Sequence, residues 1–77
     1  MDYDSAKVNE VVLALLYLWS WREYGAQRSW KGLDWDVLDL LHEQGWISDP
    51  KSKAKSVLLT EDGVAKAQEF VAKYFQP

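Results

Sequence analysis

The chain has 77 residues, no cysteine and a formal net charge of −3 at pH 7. This length fits one domain, and without cysteine neither disulfides nor a thiolate metal site can stabilise it. The negative charge gives no overall attraction to nucleic acid or to an anionic membrane. The apolar run 11–19 is shorter than the roughly 20 residues that span a bilayer, and residues 1–4 lack the positive start of a signal peptide. We therefore expect a cytoplasmic protein with no membrane partner.

The first predicted helix begins at a cap formed by Asp4 or Ser5 and runs to about Arg22. Its apolar residues fall on two opposite sides of the helix. One set is predicted to face the core: Val8, Val11, Val12, Leu15, Leu18 and Trp19. The other set follows the spacing i, i+4, i+8: Leu13, Tyr17 and Trp21. A helix that is apolar on both sides is either central to the core or shared with a partner, and the sequence leaves both readings open.

A connector follows at residues 23–33, where Gly25 can end the first helix and Gly32 can turn the chain. Residues 26–30 could form one helical turn, but the stretch is too short for its periodicity to decide. A second helix is predicted from a cap at Asp34 to the left-handed residue Gly45. Its outer face is acidic, formed by Asp36, Asp39 and Glu43.

Two short strands are predicted at residues 46–48 and 56–59, joined by a loop that begins at Asp49-Pro50. The loop carries alternating lysines, Lys51, Lys53 and Lys55. Thr60 is predicted to cap a last helix, whose carboxyl end is rich in aromatic residues: Phe70, Tyr74 and Phe75. The element order predicts a single domain over residues 1–77, mostly α with one two-stranded β-hairpin.

The run LHEQGWISDPKSKAKSVLLTEDG resembles the end of the recognition helix, the wing and the start of the last helix in regulators of the MarR and PadR type. That resemblance implies a winged-helix-like fold. The whole chain also resembles a small family of uncharacterised bacterial proteins, through the run WKGLDWDVLDLLHEQGWISDPKSKAKSV. Two features depart from the regulators. Only residues 26–30 are available for the helix before the recognition helix, and the exposed face of the recognition helix is acidic.

The acidic face disfavours DNA binding, although the resemblance suggests it. A recognition helix meets the major groove, and affinity there depends mainly on Lys and Arg that neutralise phosphates. The three carboxylates of helix 34–44 oppose this attraction. Lys51, Lys53 and Lys55 could contact phosphate through the wing, or they could simply be a solvated loop. Weak or specialised DNA binding by the wing therefore stays as the alternative function.

Catalysis has little support in the sequence. His42 is the only histidine, and the four glycines are isolated, so no phosphate-binding loop is present. Asp34, Asp36 and Asp39 lack the spacing of a calcium loop and diverge around a helix. We expect no enzyme activity, catalytic residue, metal site, cofactor or small-molecule substrate.

The aromatic content favours protein contacts instead. Eleven Trp, Tyr and Phe residues exceed what a small monomer easily buries. The sequence therefore predicts a non-enzymatic interaction or regulatory module that forms a homo-oligomer, a homodimer in the simplest case, or binds another protein. The candidate interface joins the terminal helices through Leu13, Tyr17, Trp21, Phe70, Tyr74 and Phe75. The open alternative is that these rings close the core of a monomer.

Overall fold

The computed structural model describes residues 1–77, which form three helices and a three-stranded antiparallel sheet. In chain order the elements are α1 (Ser5–Leu18), β1 (Trp21–Glu23), β2 (Ala26–Trp30), α2 (Trp35–Glu43), β3 (Ser56–Leu59) and α3 (Glu61–Tyr74). The fold is mixed α and β. The prediction of one two-stranded hairpin was wrong in the number of strands, since the sheet has three in the order β1-β2-β3.

The first helix begins where the sequence predicts but ends four residues early. Asp4 is the cap, and its side chain accepts from the Lys7 amide at 3.1 Å. At the other end the Ser20 hydroxyl donates to the Tyr17 carbonyl oxygen, which ends the helical hydrogen bonding. The chain then continues as β1, so Trp21 belongs to the sheet and not to the helix.

A tight hairpin replaces the predicted connector. Tyr24 and Gly25 both have positive φ, at 52° and 77°, and they join β1 to β2. Two left-handed residues in a two-residue loop match the twist of an antiparallel hairpin. Residues 26–30, which the sequence left undecided as a helical turn, are therefore a strand, with Trp21 opposite Arg28.

The predicted pairing of residues 46–48 with residues 56–59 is present in a reduced form on the free edge of β3. Ile47 forms an isolated bridge with Leu59, and the Ser48 amide donates to the Leu58 carbonyl oxygen at 2.9 Å. Residues 46–48 do not make a full strand. The main partner of β3 is β2, where Trp30 lies opposite Ser56.

The helices cover one side of the sheet and enclose the core. Helices α1 and α3 run antiparallel, because Glu10 contacts Lys73 near one end and Tyr17 contacts Gln68 near the other. Helix α2 packs on α1. Ten buried apolar residues fill the space between these elements: Leu13, Ala14, Leu16, Leu38, Leu41, Ile47, Val57, Leu59, Ala67 and Phe70.

The turn from α2 packs closely against the start of α3. Gly45 has the predicted left-handed conformation, with φ of 79°. Thr60 caps α3 as predicted, accepting from the Gly63 amide at 2.9 Å, and its hydroxyl donates to the Gly45 carbonyl oxygen at 2.6 Å. A Cβ on Gly63 would overlap the Trp46 backbone. This position therefore requires glycine.

Candidate interaction surfaces

The structure buries the side of α1 for which the sequence leaves both core and interface open. Leu13, predicted at a partner interface, is 0% exposed, and Phe70 is 6% exposed; both belong to the core. The interface assignment for these two residues is thereby corrected. The small side chain of Ala14 lies beside Leu13 in the same core, which allows α3 to approach α1 closely. The side predicted to face the core is instead partly open to solvent.

Tyr17 and Tyr74, also predicted at an interface, hold α1 and α3 together within one chain. The Tyr17 hydroxyl accepts from Gln68 Nε2 at 3.1 Å. The Tyr74 hydroxyl donates to Glu10 Oε1 at 2.6 Å, and Lys73 Nζ donates to the same oxygen at 2.9 Å. Both tyrosines are half-buried against the core. These hydrogen bonds join α1 to α3 on the side of α1 that faces the core.

The same contact shifts three pKa values. The hydrogen bonds from Tyr74 and Lys73 lower the pKa of the Glu10 carboxyl, because they stabilise its charged form. The hydrogen bond to Glu10 raises the pKa of Lys73 and of Tyr74, because each donates a proton that the carboxylate holds in place. The α1–α3 contact is therefore strongest between the acid and alkaline extremes.

An apolar stripe remains on the outer side of α1. Val8, Val11, Leu15 and Leu18 are spaced three and four residues apart, which is the a/d pattern of a two-heptad helix seam. The first three are half-buried, and Leu18 is 49% exposed. Trp19 extends the row four residues beyond Leu15 and is 62% exposed. We call these five residues the α1 stripe.

The sequence shows the apolar residues of the α1 stripe but does not show that this side of the helix is the more exposed one. Both apolar rows of α1 are visible in the sequence, and helical periodicity predicts that the longer one faces the core. The shorter row contains the residues whose partners lie on α3. Glu10 would have been the useful indicator, because a carboxylate flanked by Leu13 and Tyr17 needs polar partners, which Lys73 and Tyr74 supply.

The remaining predicted interface residues lie apart from the α1 stripe. Phe75 follows α3 and is partly exposed, with its ring centroid 6.5 Å from that of Tyr74. Trp21 lies on β1, where its ring centroid is 4.9 Å from that of Trp30. The structure therefore does not bring the six predicted residues together into one surface.

The sheet has an uncovered side opposite the core. The register places Trp21, Arg28, Trp30 and Leu58 on this side, while Ser29, Val57 and Leu59 are buried on the other. Trp30 is 61% exposed. The helices contact the sheet from the buried side, and we call the four uncovered residues the open sheet face.

The three loop lysines are exposed in the segment that leads into β3. Lys51, Lys53 and Lys55 are solvent-exposed, and none forms an ion pair, since the two ion pairs of the protein are Lys66–Glu69 and Lys73–Glu10. The loop is held by Lys31, whose Nζ donates to the carbonyl oxygens of Pro50 at 2.7 Å and Ser52 at 2.6 Å. Positive charge is thus fixed next to the end of β2.

Charge is divided unevenly over the molecule. Six of the nine Lys and Arg residues lie in residues 21–31 and 49–59, with only two acids. The other ten acids lie outside these segments, and Asp36, Asp39 and Glu43 on α2 are among them. The sheet and its loop are therefore positive although the chain is negative overall.

The residues weighed for catalysis and metal binding are separated. His42 is exposed, and its Nδ1 lies 3.0 Å from the Ile47 carbonyl oxygen. Asp34 caps α2 through the Val37 amide. No three His, Cys, Asp or Glu side chains are placed to hold a metal ion together. None of the helices combines the length and apolar character needed to cross a membrane.

Comparison with known proteins places the chain in a family. It belongs to the family described as Domain of unknown function (DUF6429), which matches residues 4–77. It is also similar to "Uncharacterized protein y4hR" of Sinorhizobium fredii (strain NBRC 101917 / NGR234), with 43% identity over 75 residues and 97% of each chain covered. No solved structure matches the chain. These findings support the resemblance to a bacterial family and name neither an activity nor a winged-helix regulator.

Proposed function

We propose that this protein is a non-enzymatic cytoplasmic interaction module that forms a homodimer through the α1 stripe. The observation that carries the proposal is a partly exposed row of apolar residues at a/d spacing on the outer side of α1. Such a row is self-complementary, since the side chains of one helix fit between those of a second copy. A twofold dimer needs only this one surface on each chain.

The charge pattern of α1 also favours a second copy as the occupant. Lys7 and Glu10 are the only charged residues within Ser5–Leu18, and Glu10 points to α3. The stripe therefore offers a partner apolar contact with little charge to recognise. A seam of two heptads on a helix about 21 Å long is short, so the dimer belongs to the weak, reversible class.

Sedimentation equilibrium of a charge-insertion variant tests this proposal. Leu18→Lys should convert the dimer to a monomer of 8.9 kDa, because a twofold interface loses the buried leucine twice and gains two charges. Losing about half of the burial of one leucine side chain costs about 1 kcal/mol per copy, or about 2 kcal/mol per dimer. The dissociation constant of the dimer should therefore rise at least about thirtyfold. Ala72→Lys, at an exposed position on α3, adds the same charge elsewhere and should leave the dimer intact. A monomeric wild-type protein at high micromolar concentration would overturn the proposal.

We also propose a winged-helix-like description of the fold. What supports it is the strand order, in which β2, β3 and the bridge at Ile47 lie side by side, with α2 leading into the basic loop. Strand β1 is an addition, and α2 stands where a helix-turn-helix would have two helices.

The exposed lysine loop favours duplex DNA binding as a second candidate function. The acidic face of α2 counts against it, because a duplex on the wing would also meet Asp36 and Glu43, both exposed. Titration of a labelled duplex at low salt tests this candidate. Suppose that binding weakens steeply with salt and is lost when Lys51, Lys53 and Lys55 are all replaced by Ala. DNA binding would then be favoured over self-association as the function.

A further inference from the structure

The open sheet face combines aromatic rings with positive charge. The indole rings of Trp21 and Trp30 lie with centroids 4.9 Å apart and planes tilted by 44°. Trp30 is 61% exposed, and it is the last residue of β2, the central strand of the sheet. No helix covers this pair, so the Trp30 ring is presented to solvent beside a half-buried Trp21.

Cationic groups border the two rings. Arg28 lies opposite Trp21 in the sheet register, and its Nε donates to the Ser56 hydroxyl at 2.9 Å. This bond fixes the guanidinium and leaves its two terminal nitrogens without a protein acceptor. Lys55 directly precedes Ser56, the residue opposite Trp30. The loop that carries the lysines therefore joins the sheet at the end where Trp30 lies.

The one acid on this face is already engaged. Glu23 Oε2 accepts from the Trp21 indole nitrogen at 2.9 Å. That bond orients the ring and uses part of the carboxylate. Lys31 is likewise engaged, since it donates to the loop carbonyl oxygens and lies 5.8 Å from the centre of the Trp35 ring. The groups left for a ligand are the Trp30 ring, the Arg28 guanidinium and the loop lysines.

We propose that the open sheet face binds single-stranded nucleic acid. Bases stack on Trp30, while Arg28 and the loop residues Lys51, Lys53 and Lys55 contact phosphates. Proteins that bind single strands without strong sequence preference combine aromatic stacking surfaces with a positively charged path for the backbone. Both parts are present here within one sheet and its adjoining loop.

The same geometry selects against the two competing ligands. A duplex keeps its bases stacked inside, so it would leave the Trp30 ring unused. An acidic peptide would satisfy the cations but has no flat ring for the exposed indole. This inference does not depend on the α1 stripe, which lies on a different element.

Fluorescence anisotropy with labelled 12-nucleotide oligouridylate and oligothymidylate tests the proposal. Trp30→Ala should weaken binding roughly five- to a hundredfold, the range expected when one base loses its stacking partner. Trp19→Ala is the matched control, because Trp19 is equally exposed at 62% but lies on the α1 stripe. It should leave oligonucleotide affinity unchanged and weaken only the dimer.

A loop variant keeps the test independent of the fold of the sheet. Lys51, Lys53 and Lys55→Gln changes only exposed loop side chains. It should make the negative slope of log affinity against log salt concentration shallower by roughly 2, since each of three lost phosphate contacts contributes about 0.7 to its magnitude. Circular dichroism of each variant confirms that the protein remains folded.

Four results would overturn the inference. These are no binding of either oligonucleotide at low salt, equal losses for Trp30→Ala and Trp19→Ala, tighter binding of a 12-base-pair duplex than of the single strands, and equal binding of polyglutamate. The last result would assign the face to acidic protein segments.

Discussion

Replacing Gly63 with alanine should destabilise the protein, although alanine is the better helix former. A Cβ at this position would lie 2.8 Å from the Trp46 carbonyl carbon and 3.0 Å from its Cα, and closer still to the carbonyl oxygen. Carbon atoms in favourable contact are about 3.5–4.0 Å apart. The neighbouring atoms are backbone, so no side-chain rotation can relieve the overlap. The start of α3 must move away from the turn after α2.

The size of the effect follows from the contacts that this movement breaks. The Thr60 amide donates to the Trp46 carbonyl oxygen at 3.0 Å, and the Thr60 hydroxyl donates to the Gly45 carbonyl oxygen at 2.6 Å. Two hydrogen bonds are worth about 1 kcal/mol each, and overpacking adds about 1–3 kcal/mol. The higher helix propensity of alanine relative to glycine offsets about 1 kcal/mol of this loss. The free energy of unfolding should therefore fall by about 2–4 kcal/mol.

Thermal and urea unfolding measure this change, with a melting temperature expected to drop by more than about 10 °C. Gly32→Ala is the matched control, because no atom lies within 4 Å of the added carbon and the backbone φ of Gly32 is not positive. The control should be neutral or more stable by up to about 1 kcal/mol. If Gly63→Ala were as stable as Gly32→Ala, the close packing of α3 on the Trp46 backbone would be refuted.

Three further predictions concern α1 and the hairpin. Leu13→Ala should lower the free energy of unfolding by about 2–5 kcal/mol, measured by urea unfolding at low protein concentration. Leu18→Ala should lower it by less than about 1 kcal/mol. The reverse order would show that the side of α1 with Leu18 faces the core. Tyr24→Asn should stabilise the hairpin by up to about 1 kcal/mol in thermal unfolding, because asparagine tolerates a positive φ and the exposed tyrosine ring packs on nothing. Glu10→Gln should destabilise the protein at pH 6 but much less at pH 3, when urea unfolding is compared at both.

The sign of the Glu10 effect follows from its pKa. A carboxyl whose pKa is lowered in the folded state stabilises the fold above its usual pKa of about 4, and this contribution disappears as the pH falls through the folded-state value. The raised pKa values of Lys73 and Tyr74 act in the opposite range, where stability is lost as the pH rises above about 10. An unchanged difference between wild type and Glu10→Gln at the two pH values would show that the contact does not form in solution.

Local signals in the sequence located the helix starts well. Asp4, Asp34 and Thr60 each accept a hydrogen bond from an amide three residues on, as their positions predict. Gly45 has the positive φ expected after α2. These features depend on neighbours in the chain, so they can be read without knowledge of the fold.

The errors arose where distant contacts decide the structure. β1 and β2 contain polar residues and no clear alternation, and Tyr24 is an unusual residue for a left-handed turn position. The second partner of β2 is β3, which is distant in the sequence. The buried side of α1 likewise depends on its packing against α3, at the other end of the chain.

A dilution series followed by ¹⁵N–¹H correlation spectra tests the proposed dimer most directly, since it uses the unmodified protein and reports the position of the contact. The backbone amides of Val8, Val11, Leu15 and Leu18 and the indole N–H of Trp19 should shift between low and high micromolar concentration. Exposed positions on α3 should not shift. Spectra that do not change with concentration, or changes centred on the open sheet face, would contradict self-association through α1.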